Sequence, residues 1–532
     1  MTSQPKVTIR FDNKELKVDS GSQLAAALMQ HRIFTLRSSP EGQDRGVLCA
    51  MGSCQECRAT VDGHRGVRTC LVTVRDGMEI ATERPLRREL QPLVERSEMV
   101  EKEAGVVVIG AGPAGLSAAC HAAELGQDVL LVDESPRPGG RIWAHRDSVP
   151  AVVQGWIDRA QRAGVRWLQG GTVVDGAMET GAMETGAMET GASGSVLTAS
   201  VVDGRRTYIR CQKIIVATGA RERFLPFPGW TLPGVLGAGA LQSLIKGGLD
   251  VEGKRLVIAG SGPLLLAVAQ LGTSRGADVL MIEQASLAQR LPLVFSLLSS
   301  TSRLFEAWKL WKELRGIEKC SSSWPVKAEG QEKIEKVHLQ TRNGIRIEPA
   351  DLLAVGFGLV PESRVAQGLG CFVEQDGTVK VDELQQSSIR NVLCAGEPTG
   401  VAGSEAALAS GQVAGIVAAG ATPSADLLAK VRRLRGWGVA LERAHSLRSE
   451  LKPLASEDVT ICRCEDVTAS TVEGVGSLRE ARMQCRIAMG PCQGRVCVPI
   501  LAFRDGLGQD SVRPPWSTSP APQADLSSTD GH

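Results

Sequence analysis

Eight of the fourteen cysteines fall into two tight groups. In CAMGSCQECRATVDGHRGVRTC, residues 49–70, Cys49, Cys54, Cys57 and Cys70 follow the pattern C-x4-C-x2-C-x12-C. A two-iron centre takes two thiolates on each iron, and one tight loop here supplies three of them. Gly52 permits that loop to curl around inorganic sulfide, and Cys70 is expected to join from a following strand. Zinc is the competing reading. Structural zinc prefers separated C-x2–4-C pairs, whereas here one pair overlaps a third ligand. The second group comprises CRC at 462–464 and PCQGRVC at 491–497. Its candidate ligands are Cys462, Cys464, Cys492 and Cys497, with Cys485 a bystander; iron–sulfur, zinc and no metal all stay open.

Between these groups lie two glycine loops. VVVIGAGPAG follows an apolar strand and opens a helix, as Gly110-x-Gly112-Pro113-Ala114-Gly115. The first glycine makes the turn, the second lets the backbone approach a pyrophosphate, and the third lets helix and strand close up. The helix N-terminus then faces the phosphates. VLLVDE ends on Asp133, placed for a ribose hydroxyl, with Glu134 as second choice, and RPGGRI follows with Gly140 and Arg141. IIVATGA at 214–220 contributes Ala217, Thr218 and Gly219, and VLCAGEPTG at 392–400 contributes Gly396 and Glu397. This set resembles flavoprotein oxidoreductases of the two-dinucleotide-binding class, which implies FAD. In that class the last motif usually reads Gly-Asp, the acid contacting the flavin ribityl chain; Glu397 replaces it, so a longer contact is expected. The second loop, RLVIAGSGPLLLAVA, has Gly260 and Gly262 and ends its next strand on Glu283. Leu265 stands where a third small residue belongs and is expected to push helix from strand. A working NAD(P)H site, another adenine nucleotide and an empty fold remain open there.

The elements that must carry these residues can be outlined. VTIRFD and KELKV read as a hairpin, LAAALMQH as a helix, and ECRATVDG and CLVTVRDG as strands ending in turns. This first unit spans 1–97, its end running into a charged linker, RPLRRELQPLVERSEMVEKE. A repeated strand–turn–helix pattern follows over 103–425, with a second nucleotide-binding subdomain inserted at about 250–350, which points to an α/β fold with parallel strands. GAMET occurs three times at 176–190 and reads as a solvated loop. SLAQRLPLVFSLLSSTSRLFEAWKLWKELRG at 286–316 reads as helical, with Phe305, Trp308 and Trp311 on an apolar face. A third unit covers 455–505, and the Pro-, Ser- and Asp-rich tail at 506–532 is expected to be disordered.

The chain has 532 residues and a formal net charge of +1, so bulk electrostatics favour neither nucleic acid nor an anionic membrane. No run of 18 apolar residues occurs and the start has no signal-peptide h-region, which reads as a soluble cytoplasmic protein not integral to a membrane. In a reducing compartment grouped cysteines bind metal more often than they form disulfides. No C-x-x-C lies within 103–425, which disfavours a disulfide-reductase dithiol, and with only seven histidines no general base for substrate oxidation can be named.

The second cysteine group resembles the helical [2Fe–2S] module of bacterioferritin-associated ferredoxin, although C-x4-C replaces its usual final C-x2-C. The first matches plant-type ferredoxin spacing. With FPGWTLPGVLGAGALQ at 227–242 between them, the whole chain resembles the alpha subunit of heteromeric amine and amino-acid dehydrogenases. That group includes opine oxidases, proline and hydroxyproline dehydrogenases, hydrogen cyanide synthase and sarcosine oxidase. The nearest resemblance is to a fusion of the small ferredoxin-like and large FAD subunits. The resemblance implies a partner, an FAD-dependent catalytic beta subunit, together with an external electron acceptor. One carrier order would run from the partner through the C-terminal centre and the FAD to the N-terminal centre. The alternatives are a free-standing NAD(P)H-dependent reductase and a zinc-stabilised scaffold.

Overall fold

Alternating apolar and charged residues fold Lys6–Phe11 (β1) and Lys14–Asp19 (β2) into an antiparallel hairpin, turned by Asp12 and Asn13 at positive φ. The computed structural model describes residues 5–84, 99–144, 149–178, 195–200, 206–297, 315–508, 512 and 514–517. They divide into two units: Met1–Arg87, Glu222–Leu359 and Ala440–Asp510 form the first, and Arg88–Arg221, Val360–Val439 and Ser511–His532 the second.

In the first unit the hairpin is followed by α1 (Leu24–Gln30), β3 (Arg58–Val61), β4 (His64–Arg68) and β5 (Glu79–Thr82), in the sheet order β2-β1-β5-β3-β4. CLVTVRDG does not form the expected strand. Cys70 lies on a 3-10 turn, Thr69–Leu71, and Thr73 makes only an isolated bridge to Gln23.

The second unit begins at β6 (Met99–Ile109), so the end of the charged linker is strand. Then come α2 (Pro113–Glu124), β7 (Val129–Asp133), α3 (Ala151–Arg162), β8 (Arg166–Gln169), β9 (Thr172–Met178), β10 (Ser195–Ser200) and β11 (Arg206–Val216). Their order is β8-β7-β6-β11-β10-β9. The β8-β7-β6-β11 core is parallel, and the apolar runs of β7, β6 and β11 within it are buried on both faces. The first GAMET copy starts within β9; the rest of the repeat, residues 179–190, lies outside the described residues.

The chain then returns to the first unit. β12 (Val235–Gly237), α4 (Ala238–Lys246), β13 (Arg255–Ser261), α5 (Pro263–Ser274), β14 (Asp278–Glu283), α6 (Leu287–Leu297) and β15 (Glu318–Ser321) come first. β16 (Trp324–Glu329), β17 (Lys336–Thr341), β18 (Gly344–Pro349) and β19 (Leu352–Phe357) follow. A parallel sheet β12-β19-β13-β14-β15 forms the second nucleotide fold, and β16–β18 form a separate antiparallel sheet. Phe305, Trp308 and Trp311 lie outside the described residues. The whole segment Glu222–Leu359, which contains the 250–350 stretch, belongs to the first unit. Leu24, Leu28 and Met29 share one core with Leu236, Leu241, Leu244 and Leu265, so the N-terminal module is not a separate body but packs on the insert.

β20 (Val392–Cys394) pairs with β11 and closes the second unit's sheet, followed by α7 (Ser404–Ala418) and α8 (Ala425–Ala444). Gly411 and Gly415 let α7 meet α2 backbone to backbone: a Cβ at either would lie 2.2 Å or 2.4 Å from the carbonyl oxygens of Ala114 and Ala118. The C-terminal module holds β21 (Thr460–Cys462), β22 (Val467–Thr468), α9 (Leu478–Cys485) and α10 (Cys497–Asp505). The expected disorder from 506 onward is corrected at Trp516. This residue is 1% exposed, its amide donates to the Val174 carbonyl at 2.7 Å, and its ring fills the space beside Gly368. Among the described residues no helix is long and apolar enough to cross a membrane.

Candidate redox centres and nucleotide cradles

The 49–57 loop is shaped around its sulfurs. Ala50, Gly52 and Gln55 all have positive φ, between 45° and 78°. This turns amides inward: Met51 N and Cys54 N donate to Cys49 Sγ at 3.4 Å each, and Ser53 Oγ donates at 3.5 Å. Burial alone would raise the Cys49 pKa, but these donors and the Cys54 thiol bring it down to about 6. Arg68 Nη1 donates to the Gly52 carbonyl at 3.1 Å and pins the loop. The thiols associate in pairs, Cys49 with Cys54 and Cys57 with Cys70.

In the C-terminal module the Cys462 thiol hydrogen-bonds to Cys464 and Cys497, and Cys464 to Cys492. Thiol–thiol hydrogen bonding with Cys462, added to burial, pushes Cys464 up to about 12. A bound metal is what removes such protons. All four are buried, while Cys485, at the end of α9, bonds to the Ala481 carbonyl instead. Among the described residues no three His, Cys, Asp or Glu side chains converge on a single-ion position. Thiols set as pairs are the donor set of a two-iron centre, with two sulfurs per iron. Both groups fit it.

The residues between these ligands carry a network that the spacing did not reveal. Glu56, inside C-x2-C, is 1% exposed; its two oxygens accept from Arg37 Nη2 at 2.5 Å and from Arg463 Nε at 2.8 Å. Arg463 lies inside CRC. Burial opposes the ionisation of Glu56, and the two guanidiniums overcome it and hold its pKa below the ordinary value. Arg45 pairs with Asp466 at 2.8 Å, both side chains 1% exposed. Charges within metal-ligand motifs were the available signal. Glu222 is also missed by motif reading. Burial raises it to about 8, partly offset by the amides of Gly239, Ala240 and Ala238 at the start of α4. A Cβ on Gly237 would sit 2.2 Å from Glu222 Oε2, so that glycine in VLGAGALQ makes room for the carboxyl.

In the second unit the cradle assembles from distant segments. A Cβ at Gly115 would lie 1.7 Å from the Gly110 carbonyl oxygen, and one at Gly110, whose φ is 105°, would lie 2.4 Å from the Ala217 carbonyl oxygen. Gly140, with φ 60°, backs onto Gly112, and the Gly139 amide donates to the Ala111 carbonyl at 2.8 Å. A Cβ on Gly396 would come 2.7 Å from the Ala114 Cβ. Gly112 caps α2 without a side-chain bond and Pro113 opens it, which leaves first-turn amides for a phosphate. Asp133 accepts from Ala111 N at 2.5 Å and Ser135 N at 2.6 Å, and burial raises its pKa. Glu134 and Arg141 are half-buried beside it in sequence. Thr218 Oγ1 donates to the Glu362 carbonyl, and the Gly219 carbonyl accepts from the Glu362 amide at 2.9 Å. Glu397 opens a short 3-10 turn and burial raises its pKa. Glycines that a Cβ would fill and an uncapped helix start fit a flavin dinucleotide.

The second fold repeats this with differences. Gly260 approaches the Gly356 carbonyl, where a Cβ would lie at 1.9 Å, and Gly262 has φ 102°. Glu283 accepts from Gly262 N at 3.0 Å and Ala285 N at 2.9 Å. Leu265 is 1% exposed within the core, its Cδ2 3.9 Å from where a Cβ on Gly356 would lie, and α5 packs on its strand with the leucine accommodated. Ser261 Oγ donates to the His445 carbonyl at 2.9 Å, and Gln284 Nε2 to the Ser446 carbonyl at 3.0 Å, so residues 445–446 line this loop.

A family model described as pyridine nucleotide-disulphide oxidoreductase matches residues 104–419, and one described as 2Fe-2S iron-sulfur cluster binding domain matches 4–85. One of the opine oxidase subunits of Rhizobium meliloti (strain 1021) is 32% identical over 418 residues, spanning 74% of this chain and 90% of that protein. Hydrogen cyanide synthase subunit HcnB of Pseudomonas protegens is 30% identical over 463 residues, spanning 78% and 96%. The crystal structure of L-proline dehydrogenase from P. horikoshii superposes with a TM-score of 0.69 at 20% identity, covering 97% of this chain and 96% of that one. That last likeness is one of fold.

Proposed function

This chain belongs to the pyridine nucleotide-disulphide oxidoreductase family, and from that premise we propose that it is the FAD- and iron–sulfur-bearing electron-transfer subunit of a heteromeric amine or amino-acid dehydrogenase. Its N-terminal module is a [2Fe–2S]-binding domain. The observation that carries the reading is that one chain joins a dinucleotide cradle to two sets of four buried thiols in mutual contact. The two sequence relatives named above are themselves subunits of an oxidase and a synthase, which supports a flavoprotein partner that oxidises the C–N bond.

A bound flavin supplies two-electron acceptance with one-electron release, and a [2Fe–2S] centre carries single electrons. The chain's residues do the holding. Gly110, Gly112 and Gly115 with the start of α2 would take the pyrophosphate, Asp133 would orient a ribose, and Glu397 would hold the ribityl chain. The inward amides of the 49–57 loop stabilise thiolate charge, and hydrogen bonds to sulfur tune its potential.

Co-purification from the native host, followed by dye-reduction assays on secondary-amine and imino amino acids, tests this; the expected result is activity only with a flavoprotein companion. A chain isolated alone and reduced rapidly by NADH or NADPH would favour the second reading, a free-standing NAD(P)H-dependent reductase. Glu283 and Gly262 favour that reading, and Leu265 weighs against it. Zinc without iron or sulfide would select a scaffold.

A further inference from the structure

The two cysteine groups lie far apart in sequence but share the first unit. Cys49, Cys54, Cys462, Cys464, Cys492 and Cys497 belong to one buried core. The polar connection runs between the ligand motifs themselves. Glu56, between Cys54 and Cys57, receives Arg463, between Cys462 and Cys464, at 2.8 Å. Arg37 closes the bridge, donating to Glu56 at 2.5 Å and to the Arg463 carbonyl at 3.2 Å. Arg463 also stacks 4.9 Å from the Trp230 ring centroid and donates to the Trp230 carbonyl at 3.0 Å, while Trp230 Nε1 donates to the Thr460 carbonyl at 2.8 Å. One residue past Glu465, Asp466 takes the Arg45 guanidinium and the Glu41 amide at 3.0 Å.

Three buried charged side chains are costly in low dielectric. A surface-exposed hinge between modules would need none of them. Their placement has a consequence that apolar packing would not supply. A charge arriving on either set of sulfurs is felt by one guanidinium, that of Arg37, and Arg463 is tied to the same carboxylate. Arg37 interacts electrostatically with both Cys54 and Cys464, and Cys464 with Glu56.

We infer that Glu56, Arg37 and Arg463 form a positioning bridge that sets the N-terminal and C-terminal thiol groups side by side as one coupled electron-transfer pair, exchanging electrons directly rather than across the flavin. An exchanged electron leaves one centre oxidised and the other reduced, with no bond made or broken and no proton moved. This rests on the proposed reading that both groups hold [2Fe–2S], and it replaces the carrier order in which the FAD separates them.

The test uses anaerobically prepared full-length holoprotein. Iron and sulfide are counted first, then dithionite-reduced samples are examined by electron paramagnetic resonance. With two iron and two sulfide per centre at both sites, the expected spectrum shows mutual spin interaction: broadened lines and faster relaxation in the doubly reduced state than in the singly reduced one. Two full centres with independent, unbroadened signals overturn the bridge and leave the functional reading standing. Iron and sulfide for one centre only overturn both. Redox titration of Arg463→Gln adds a readout that local packing at the C-terminal site would not move. Loss of the shared positive charge should make both centres harder to reduce, each by about tenfold in its equilibrium (59 mV for a one-electron couple). A shift at the C-terminal centre alone overturns the proposal. Should this variant fail to assemble, Arg37→Lys, which keeps the charge on the N-terminal side, is expected to leave both potentials within threefold of the parent, and a tenfold change confined to one centre counts against the bridge.

Discussion

A single methyl group separates a flavin cradle from a blocked one. At position 115 a Cβ would press 1.7 Å from the Gly110 carbonyl oxygen, so Gly115→Ala must lift α2 from β6 and withdraw its amides from the phosphate. Flavin retention is expected to fall at least about tenfold, the loss of one good charge-assisted contact, read as the flavin-to-protein ratio after gel filtration. Gly155→Ala, in α3 with nothing within 4 Å, is the matched control and should keep its flavin. Glu222 makes a second prediction at this scale. Its folded pKa, about 8, stands above the ordinary 4.5, so the folded state holds more protons than the unfolded one between those values. The stabilisation this carboxyl contributes is complete below about pH 4.5 and is lost as pH rises through about 8, at up to about 1.4 kcal/mol per pH unit. Glu222→Gln should flatten that slope in denaturant titrations of holoprotein across the window. A parallel slope in the variant would show that the carboxyl is ionised in the fold.

Elements fix which of these residues can meet. Trp516 closes the second unit's core from beyond the last helix, and truncating it to alanine is expected to cost about 3–5 kcal/mol, measured by denaturant unfolding monitored through flavin fluorescence. An unchanged midpoint would mean that the ring does not seat against Gly368. No sequence pattern announced that tryptophan, because a lone aromatic in a Pro- and Ser-rich stretch carries no period. The hairpin β1–β2 was legible, since strict alternation puts Ile9, Leu16 and Val18 on one buried face. The βα turns were legible because close backbone approach admits only glycine. CLVTVRDG alternates equally well yet is not a strand: Cys70 sits in a 3-10 turn and Val72 and Val74 bond to residues 21–24 at the entry to α1, which pattern alone does not encode. His64–Arg68 pairs with β3 despite its polar HRGVR sequence, because a partner strand can override propensity. Glu56 and Arg463 were visible as charges inside ligand motifs, but only the fold brings residues 407 positions apart into contact.

At the scale of the whole chain, both groups of candidate ligands lie within the hydrophobic cores of the first unit. Cys57 and Cys70 pack with the ferredoxin-like sheet and α4–α5, and the other six cysteines pack with Trp230, Ile461, Leu478 and Ile500. The candidate flavin cradle draws its glycines from the second unit, whose own cores contain none of these eight cysteines. Stability should therefore divide along the same line. Buried thiols that have lost iron must recover protons or remain as uncompensated charge, and either state weakens the core around them. Anaerobic chelation of iron is expected to lower the unfolding temperature of the first unit, by about 2–4 °C for each kcal/mol lost in bodies of this size. Release of flavin from the second unit should stay where it was. Differential scanning calorimetry paired with flavin fluorescence separates the two events. If chelation shifts flavin release as far as it shifts the protein transition, the units unfold as one cooperative body, and the thiols support the whole chain rather than the half that contains them.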